Sequence, residues 1–336
     1  MLILGIDTSC DDTSASVVED GTRILSNVVS SQTDIHTKYG GIVPELASRR
    51  HIEMVQPVVD EALKKAGAAL ADLSAIAVCH GPGLIGSLLV GCSFAKAVGY
   101  AKNIPLVAVN HLEGHLLSVF LESPRPEFPF LSLVVSGGHT SLYVAEDYGK
   151  YRELGRTRDD AAGEAYDKVS KLLGLGYPGG PLIDDLSKQG DPSAIDFPRA
   201  YLPETFDFSF SGLKTAVLHF LRQNDGAQAQ AAGRRLAADV AASFQAAVVD
   251  VLVRKTEWAI RKTHIRRVAL SGGVSANSGL RKRMEKLRDE KEIGVYIPPL
   301  ALCTDNAAMI AAAGFHHFIK NDIAGLDLNP KAYLPL

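Results

Sequence analysis

The chain has 336 residues, 46% of them hydrophobic and 22% charged, which is typical of a soluble globular protein large enough for two domains. The formal net charge of −3 gives no global positive field for nucleic acid, and the four cysteines lack CxxC spacing, which favours reduced thiols in a cytoplasmic protein. The sequence predicts neither a signal peptide nor a membrane-spanning segment.

The first part of the chain alternates between strand and helix patterns. The predicted elements are strands at 2–6, 13–18 and 23–29, a helix at 45–66, a strand at 76–79, a helix at 84–100 and a strand at 106–109. Prolines at 124, 126 and 129 then indicate a domain boundary.

The second part repeats this pattern. The predicted elements are strands at 130–135, 141–145 and 151–157, a helix at 161–173, helix within 230–263, a strand at 268–270, a helix at 277–287, a strand at 295–297 and a helix at 305–318. Three strands followed by a helix therefore occur twice, which predicts an α/β protein of two similar domains with a cleft between them. We place the domains at 1–126 and 127–336, the second with a helical insertion at about 174–263.

Two histidines four residues apart, His111 and His115, follow the strand at 106–109. On a helix over 111–121 they would lie one turn apart on the same face. Together with a carboxylate from elsewhere, they would form a three-ligand metal site with open positions. The spacing alone is equally compatible with two solvated or core histidines.

Turns of small polar residues follow several predicted strands. They are DTSCDD at 7–12, SGG at 136–138 and SGG at 271–273. Glycine lets backbone N–H groups approach a phosphate closely. One such turn is most often an ordinary tight turn, but three of them favour a nucleotide-binding cleft.

Longer motifs extend over nearly the whole chain. They are GIDTSCD at 5–11, SQ at 31–32, YGGIVPELASR at 39–49, HGPGL at 80–84, NHLEGH at 110–115, VSGGHT at 135–140, GEAYDK at 163–168, GYPGGP at 176–181, FSFSGLK at 208–214, GGVSAN at 272–277 and TDN at 304–306. In these motifs the chain resembles the TsaD family, also called YgjD or Gcp, of bacterial tRNA N6-adenosine threonylcarbamoyltransferases. Asp12 departs from the glutamate expected there in many members.

The resemblance implies a fold, a reaction and partners. The fold is a pair of duplicated RNase H-like domains, as in actin, sugar kinases and heat-shock ATPases, with nucleotide and metal in the inter-domain cleft. The reaction transfers the threonylcarbamoyl group from L-threonylcarbamoyl-adenylate to N6 of adenosine 37, in tRNAs that read codons beginning with A, and releases AMP. The implied cofactor is one divalent transition metal per subunit, iron or zinc, and the implied nucleotide ligand is ATP or the adenylate. The implied partners are tRNA, a TsaB-like paralogue, a TsaE-like P-loop ATPase and a TsaC-type synthase that supplies the adenylate, all in the cytoplasm and without a membrane.

The resemblance also implies site residues, position by position. The implied metal ligands are His111, His115 and Asp305. The implied substrate-binding residues are Val135, Ser136, Gly137, Gly138 and His139 at the phosphate, and Asp167, Gly180, Asp184 and Asn277 at the nucleoside. Asn277 could equally cap the helix that it precedes.

The transfer requires a group that accepts the proton leaving adenosine N6. Asp11, in the first polar turn, is our candidate for this general base. His139 is the alternative, since imidazole titrates near neutral pH, and Asp12 could simply cap the turn.

Other functions must be weighed against this transfer. A metalloprotease of the HExxH type needs Glu directly after the first histidine, but this chain has Leu112 there, and Glu113 points to nearly the opposite helix face. A kinase of the same fold fits poorly with two histidines, because Mg²⁺ prefers oxygen ligands. A regulatory ATPase without transfer activity stays open.

The sequence gives only weak signals for the surfaces that bind tRNA and protein partners. Basic clusters such as 281–283 alternate with acidic residues, as solvated helix faces usually do, so we do not expect tight tRNA binding by the chain alone. Met54, Val55, Val58 and Val59 form an apolar stripe on the helix at 45–66. This stripe could contact a partner or pack on its own sheet.

Overall fold

The computed structural model describes residues 1–224 and 227–336, and of residues 227–232 it describes the backbone alone. The described chain forms two compact units. The first comprises Met1–Arg125, Asp147–Tyr151 and Pro298–Leu336, and the second comprises Pro126–Glu146 and Arg152–Ile297. Unlike the predicted division at residue 126, the first unit therefore includes the C-terminal part of the chain.

The first unit is built on a five-stranded sheet. Its strands are β1 (Leu2–Asp7), β2 (Asp12–Glu19), β3 (Arg23–Ser31), β4 (Leu73–Gly81) and β5 (Leu106–Asn110). They lie in the order β3-β2-β1-β4-β5. The first three strands are antiparallel neighbours, and β4 and β5 run parallel to β1. The carboxyl ends of β1, β4 and β5 therefore share one edge, where a site can form.

The first unit also contains helices. They are α1 (Thr33–His36), α2 (Pro44–Ala66), α3 (Ile85–Lys102), α4 (His111–Leu117) and, at the end of the chain, α10 (Ala307–Ile319). The predicted helix at 111–121 is thus one α-helix of seven residues that continues as a 3-10 turn over Ser118–Leu121. Helix α10 lies so close to β1 that a Cβ on Gly5 would meet the backbone of Ala307 and Ala311.

The apolar stripe on α2 faces inward. Val55, Val58 and Val59 are 3–6% exposed and belong to the core beneath the sheet, and Met54 packs against the same core. Of the two alternatives left open by the sequence, the stripe therefore packs on the sheet of its own unit and is not available to a partner.

The second unit has a sheet of the same design. Its strands are β6 (Phe130–Val135), β7 (Thr140–Asp147), β8 (Lys150–Arg156), β9 (Arg267–Ser271) and β10 (Gly294–Tyr296). They lie in the order β10-β9-β6-β7-β8. Counted along the chain, each sheet places its strands in the order third, second, first, fourth and fifth. This shared order confirms the predicted α/β class with two similar halves.

The second unit also contains helices. They are α5 (Ala162–Leu172), α6 (Gly179–Ser187), α7 (Ser211–Gln223), α8 (Ala227–Thr263) and α9 (Ser278–Lys291). The predicted insertion at about 174–263 thus contains α6, α7 and α8, apart from residues 225 and 226, which lie outside the described residues. Within α8, the backbone at Gly233 is not helical.

One helix segment tests the prediction that no part of the chain crosses a membrane. Gly233–Thr263 is long and apolar enough to cross one by length and composition, but 72% of its most apolar window is buried inside the structure. The core helix of a soluble protein has the same properties.

Candidate functional site

The two histidines of the predicted metal site lie on α4, which begins where β5 ends. The side chain of Asn110 accepts a hydrogen bond from the backbone N–H of Leu112 at 2.8 Å and so caps the helix. His111 and His115 are 5% and 0% exposed, and their ring centroids are 4.7 Å apart. The one-turn spacing therefore places both rings on one buried face of α4.

Asp305 completes the group from the other end of the chain. The predicted helix at 305–318 included Asp305, but the observed helix α10 begins two residues later, at Ala307. The reason is the cap, because the Asn306 side chain accepts a hydrogen bond from Met309 N–H. Oδ1 of Asp305 is 3.1 Å from Nε2 of His115 and 3.6 Å from Nε2 of His111.

This arrangement fits a transition-metal ion. Ligand atoms about 2.0–2.2 Å from a tetrahedral ion lie about 3.3 Å from one another, so small movements would bring these three atoms onto one ion. Two imidazoles and one carboxylate suit zinc or iron. The three residues supply only three ligands, which leaves positions open for a substrate.

Charge in this pocket acts on the two rings differently. Burial disfavours the charged form of His111, but the carboxylates of Asp305 and Asp7 outweigh it and raise the pKa of His111 to about 9. Burial lowers the pKa of His115, and the neighbouring His111 lowers it further. The carboxylates of Asp305 and Asp7 thus place negative charge around the two rings, and a metal cation that displaces the proton of His111 would be stabilised by the same charge.

Glu113, between the two histidines, faces the other side of α4. Its Oε1 accepts a hydrogen bond from the hydroxyl of Tyr151 at 2.9 Å, and its Oε2 lies 2.8 Å from Nε2 of His317. Both carboxylate oxygens of Glu113 therefore have partners on the side of α4 opposite His111 and His115. This placement contradicts a role as the general base of an HExxH-type protease.

The polar turn after β1 reaches the same edge of the sheet. The backbone N–H of Ser9 donates to Oδ1 of Asp7 at 2.9 Å, and the Ser9 hydroxyl lies 3.1 Å from Nδ1 of His111. Helix α3 approaches the turn closely, since a Cβ on Gly91 would come within 2.5 Å of the Thr8 hydroxyl. Only glycine allows this approach.

The carboxylates of Asp11, in that turn, and of Asp12, the first residue of β2, come next. Burial, and then the charge of Asp305, raises the pKa of Asp11 above its ordinary value. Burial raises the pKa of Asp12 to about 6. Both carboxylates are thus better proton acceptors than exposed aspartates.

In the second unit, the predicted phosphate loop is the tight turn between β6 and β7. Ser136 N–H donates to the carbonyl of His139 at 2.7 Å, and His139 N–H donates to the Ser136 hydroxyl at 3.2 Å. Gly137 and Gly138 are exposed, and a Cβ on either would meet no atom within 4 Å. Val135 is the last residue of β6 and is fully buried, so its side chain belongs to the core.

The second SGG turn lies beside the first. β6 and β9 are parallel neighbours, so both turns leave the same edge of the sheet. Gly272 has φ +87°, and a Cβ there would meet the backbone of Val135. The first turn also rests on α5, where a Cβ on Gly163 would come 2.6 Å from the carbonyl oxygen of Ser136.

The four residues predicted to bind the nucleoside form two groups. Asp167 accepts a hydrogen bond from Gly179 N–H at 2.7 Å, next to Gly180 at the start of α6, where a Cβ would meet nothing within 4 Å. Oδ1 of Asp184 accepts from the Ser278 hydroxyl at 2.8 Å and from the amide of Gln245 at 3.1 Å.

Asn277 is already engaged within the protein. Its side-chain oxygen accepts from Leu280 N–H at 2.9 Å and so caps α9, as the sequence allowed. Its amide donates to Gln245 Oε1 at 2.6 Å, and the residue is 7% exposed. Its role at the nucleoside stays a prediction.

The structure thus groups the predicted site residues by unit. His111, His115, Asp305 and Asp11 lie in the first unit, and the predicted substrate-binding residues lie in the second. Sequence reasoning assigned no role to Asp7, although it stands in a quoted motif. It also missed His317, whose contact with Glu113 joins positions 204 residues apart and leaves no local signal.

A family model and curated relatives match most or all of the chain. The family model described as TsaD, tRNA N6-adenosine threonylcarbamoyltransferase, matches residues 23–312. The enzyme of that name from Thermodesulfovibrio yellowstonii is 60% identical over 336 residues, which cover 100% of both chains. The one from Geotalea uraniireducens is 55% identical and covers 100% of this chain and 97% of its own.

Solved structures of distant proteins show the fold. Full-length HypF, in a phosphate- and nucleotide-bound form, matches 95% of this chain with 55% of its own, with a TM-score of 0.61 and 14% identity. The activator of the 2-hydroxyisocaproyl-CoA dehydratase from Clostridium difficile covers 96% of this chain and 97% of its own, with a TM-score of 0.53 and 16% identity. Together with the two five-stranded sheets, these matches confirm the fold shared by actin, sugar kinases and heat-shock ATPases.

Proposed function

The chain belongs to the TsaD family of tRNA N6-adenosine threonylcarbamoyltransferases, and from this membership we propose that it transfers the threonylcarbamoyl group of L-threonylcarbamoyl-adenylate to N6 of adenosine 37 in tRNA. In this reaction N6 attacks the carbamoyl carbon, the bond from that carbon to the AMP phosphate oxygen breaks, and AMP leaves with the electron pair. The enzyme must therefore bind the adenylate, hold the phosphate charge and remove one proton from N6.

The convergence of His111, His115 and Asp305 is the observation that carries the proposal. We propose that these residues hold one divalent ion, iron or zinc. The open positions of such an ion would supply Lewis-acid stabilisation for the phosphate charge that AMP carries away. The protein fixes its share of the site through the cap on α4 and the cap on α10.

The second unit supplies groups suited to a nucleotide. In the turn at 136–139, Gly137 and Gly138 are exposed and carry no side chain, so a phosphate could approach their backbone N–H groups. Asp167 and Asp184 offer carboxylate oxygens, and an ionised carboxylate accepts hydrogen bonds from ribose hydroxyls. We propose that these residues, with Gly180 and Asn277, bind the adenylate.

Asp11 is our proposed general base for the N6 proton. It is a partly buried carboxylate in the turn after β1, in the same unit as the metal group. His139, the alternative base, donates its backbone N–H within the turn that holds it and remains the competitor in this role.

We further propose that the chain acts in the cytoplasm with protein partners. With a net charge of −3, it has no overall attraction for the tRNA backbone. A TsaB-like paralogue, a TsaE-like P-loop ATPase and a TsaC-type synthase are the partners expected for this family. Modification should therefore be slow with the chain alone and rise when they are added.

A reconstituted assay tests the function directly. The chain is incubated with labelled threonine, bicarbonate, ATP, the synthase, both partner proteins and tRNA, and label in the tRNA is measured. Label that depends on this chain supports the transferase. Absence of labelled tRNA, with ATP hydrolysis or with cleavage of a glycoprotein by the purified chain, would support the ATPase or the protease instead.

A further inference from the structure

Asp7 carries a buried carboxylate with an unused oxygen. The residue ends β1 and is 1% exposed. Its Oδ1 accepts the hydrogen bond from Ser9 N–H, whereas Oδ2 has no hydrogen-bond partner among the described residues. A buried carboxylate oxygen without a partner is costly, so Oδ2 should face a group that can donate to it.

That group is the ring of His111. Nδ1 of His111 lies 3.3 Å from Oδ2 of Asp7 and 3.1 Å from the Ser9 hydroxyl. The other ring nitrogen, Nε2, faces Asp305 at 3.6 Å. Nδ1 of His111 thus faces Asp7 and Ser9, whereas Nε2 faces the proposed metal ligand Asp305.

His115 has no such support. Its Nε2 also faces Asp305, but its buried Nδ1 has no hydrogen-bond partner within the described chain. Of the two rings, therefore, only that of His111 has a carboxylate beside its second nitrogen among the described residues.

We propose that Asp7, assisted by Ser9, is a positioning residue that accepts a hydrogen bond from Nδ1–H of His111 and so leaves the Nε2 lone pair for the metal ion. A carboxylate behind a metal-binding histidine fixes the tautomer and the ring plane and makes the ligand nitrogen more basic. This inference rests on the proposed metal centre and adds to it a residue that touches neither metal nor substrate.

The same cluster allows a competing arrangement. Asp7, Cys79 and His111 are all buried and lie close enough to hold an ion themselves, through Nδ1 of the ring. In that case Asp7 would be a direct ligand and Cys79 would be required. The two arrangements differ in which ring nitrogen binds the metal.

Asp7→Asn is the sharpest variant. Its amide oxygen must stay on Ser9 N–H, so the NH₂ group would replace Oδ2 and face Nδ1 of His111. An NH₂ donor requires an unprotonated Nδ1, which moves the proton to Nε2 and blocks the metal. The same replacement traps the wrong histidine tautomer in serine proteases.

The first measurement uses the wild-type protein alone. In zinc-loaded protein with nitrogen-15-labelled histidine, the ring shifts of His111 should show a proton on Nδ1 and zinc on Nε2. Zinc on Nδ1 would overturn the inference. If neither His111 nor His115 binds zinc, the proposed metal centre itself is wrong. This result differs from zinc on Nδ1, which would refute only the role of Asp7.

The second measurement compares zinc affinities by competition with a chromophoric chelator. Asp7→Asn should weaken binding about 10- to 100-fold, whereas Cys79→Ala and the exposed Asp34→Asn should bind as the wild type does. Unchanged affinity in Asp7→Asn, or lost zinc in Cys79→Ala, would overturn the inference. Thermal unfolding of each apo variant verifies that the fold is intact.

Discussion

Nε2 of His317 lies 2.8 Å from Oε2 of Glu113, so an ion pair ties α10 to the face of α4 opposite the metal-ligand candidates. Nδ1 of the same ring lies 2.7 Å from Oδ2 of Asp322. The hydrogen bond with Glu113 outweighs the effect of burial and, with Asp322, raises the pKa of His317 to about 9. The His317 ring is therefore charged at neutral pH, and its ion pair with Glu113 fixes α4 on the side away from His111 and His115.

We expect this pair to make stability depend on pH. The pKa of His317 is higher in the folded than in the unfolded protein, so its contribution is complete below the ordinary histidine pKa of about 6.5 and disappears as the pH rises through 9. His317→Gln should lower the free energy of unfolding by about 2 kcal/mol at pH 6. The difference from wild type should shrink towards zero above pH 9.

Urea unfolding of both proteins between pH 6 and pH 10 measures this difference. The matched control is His219→Gln, because His219 is exposed on α7 in the other unit. The control should follow the wild type at every pH. A constant gap between His317→Gln and wild type over the whole range would show that packing, rather than the charged pair, explains the loss.

The metal group gives the second prediction. His111→Ala and His115→Ala should each reduce bound iron or zinc from about one ion per chain to a small fraction, because two ligands hold a transition metal far more weakly than three. Mass spectrometry of metals, on protein purified without chelator, gives the stoichiometry. His219→Ala should keep the full content, and unchanged content in both ligand variants would place the metal elsewhere.

The fold was largely predictable because its signals are local. Strand β6 was predicted with its observed bounds, and the length of α2 follows from its periodicity and from Gly67, which ends it in a left-handed conformation at φ 65°. Whether the apolar stripe around Val55 packs on its own sheet or on a partner was not predictable. An apolar helix face looks the same in sequence whether it packs on its own sheet or on a partner.

The site was predictable only where residues stand in motifs. His111 and His115 show their relation in their spacing, whereas the resemblance alone brought Asp305 to them. The His111 ring beside Asp7 and the two partners of Glu113 come from distant positions, and nothing near Asp7 or Glu113 in the sequence marks these contacts. Such contacts are consequences of tertiary packing and need coordinates.

The turn at 136–139 gives a third prediction. A Cβ on Gly163 would lie 2.6 Å from the Ser136 carbonyl oxygen and 2.7 Å from Cα of Gly137, so Gly163→Ala must push the turn outward. We expect a loss of stability of about 1–3 kcal/mol and weaker binding of the adenylate, measured by calorimetry. Gly212→Ala on α7, where a Cβ would meet nothing, is the matched control and should bind normally. Adenylate binding by Gly163→Ala as tight as wild type would mean that the turn does not hold the phosphate.

Asp11 gives the last prediction. If its carboxylate accepts the proton from adenosine N6, Asp11→Asn should retain the fold, the metal and the bound adenylate but lose transfer by roughly 10²-fold or more, because an amide cannot serve as a base. The measurement is a single-turnover assay with preformed adenylate and saturating tRNA, beside Asp34→Asn, which changes an exposed aspartate in the same way. Transfer by Asp11→Asn at nearly the wild-type rate would remove Asp11 from the mechanism and leave His139 as the candidate base. A variant that also fails to bind the adenylate would instead give Asp11 a role in holding the substrate, since the loss would then precede the proton transfer.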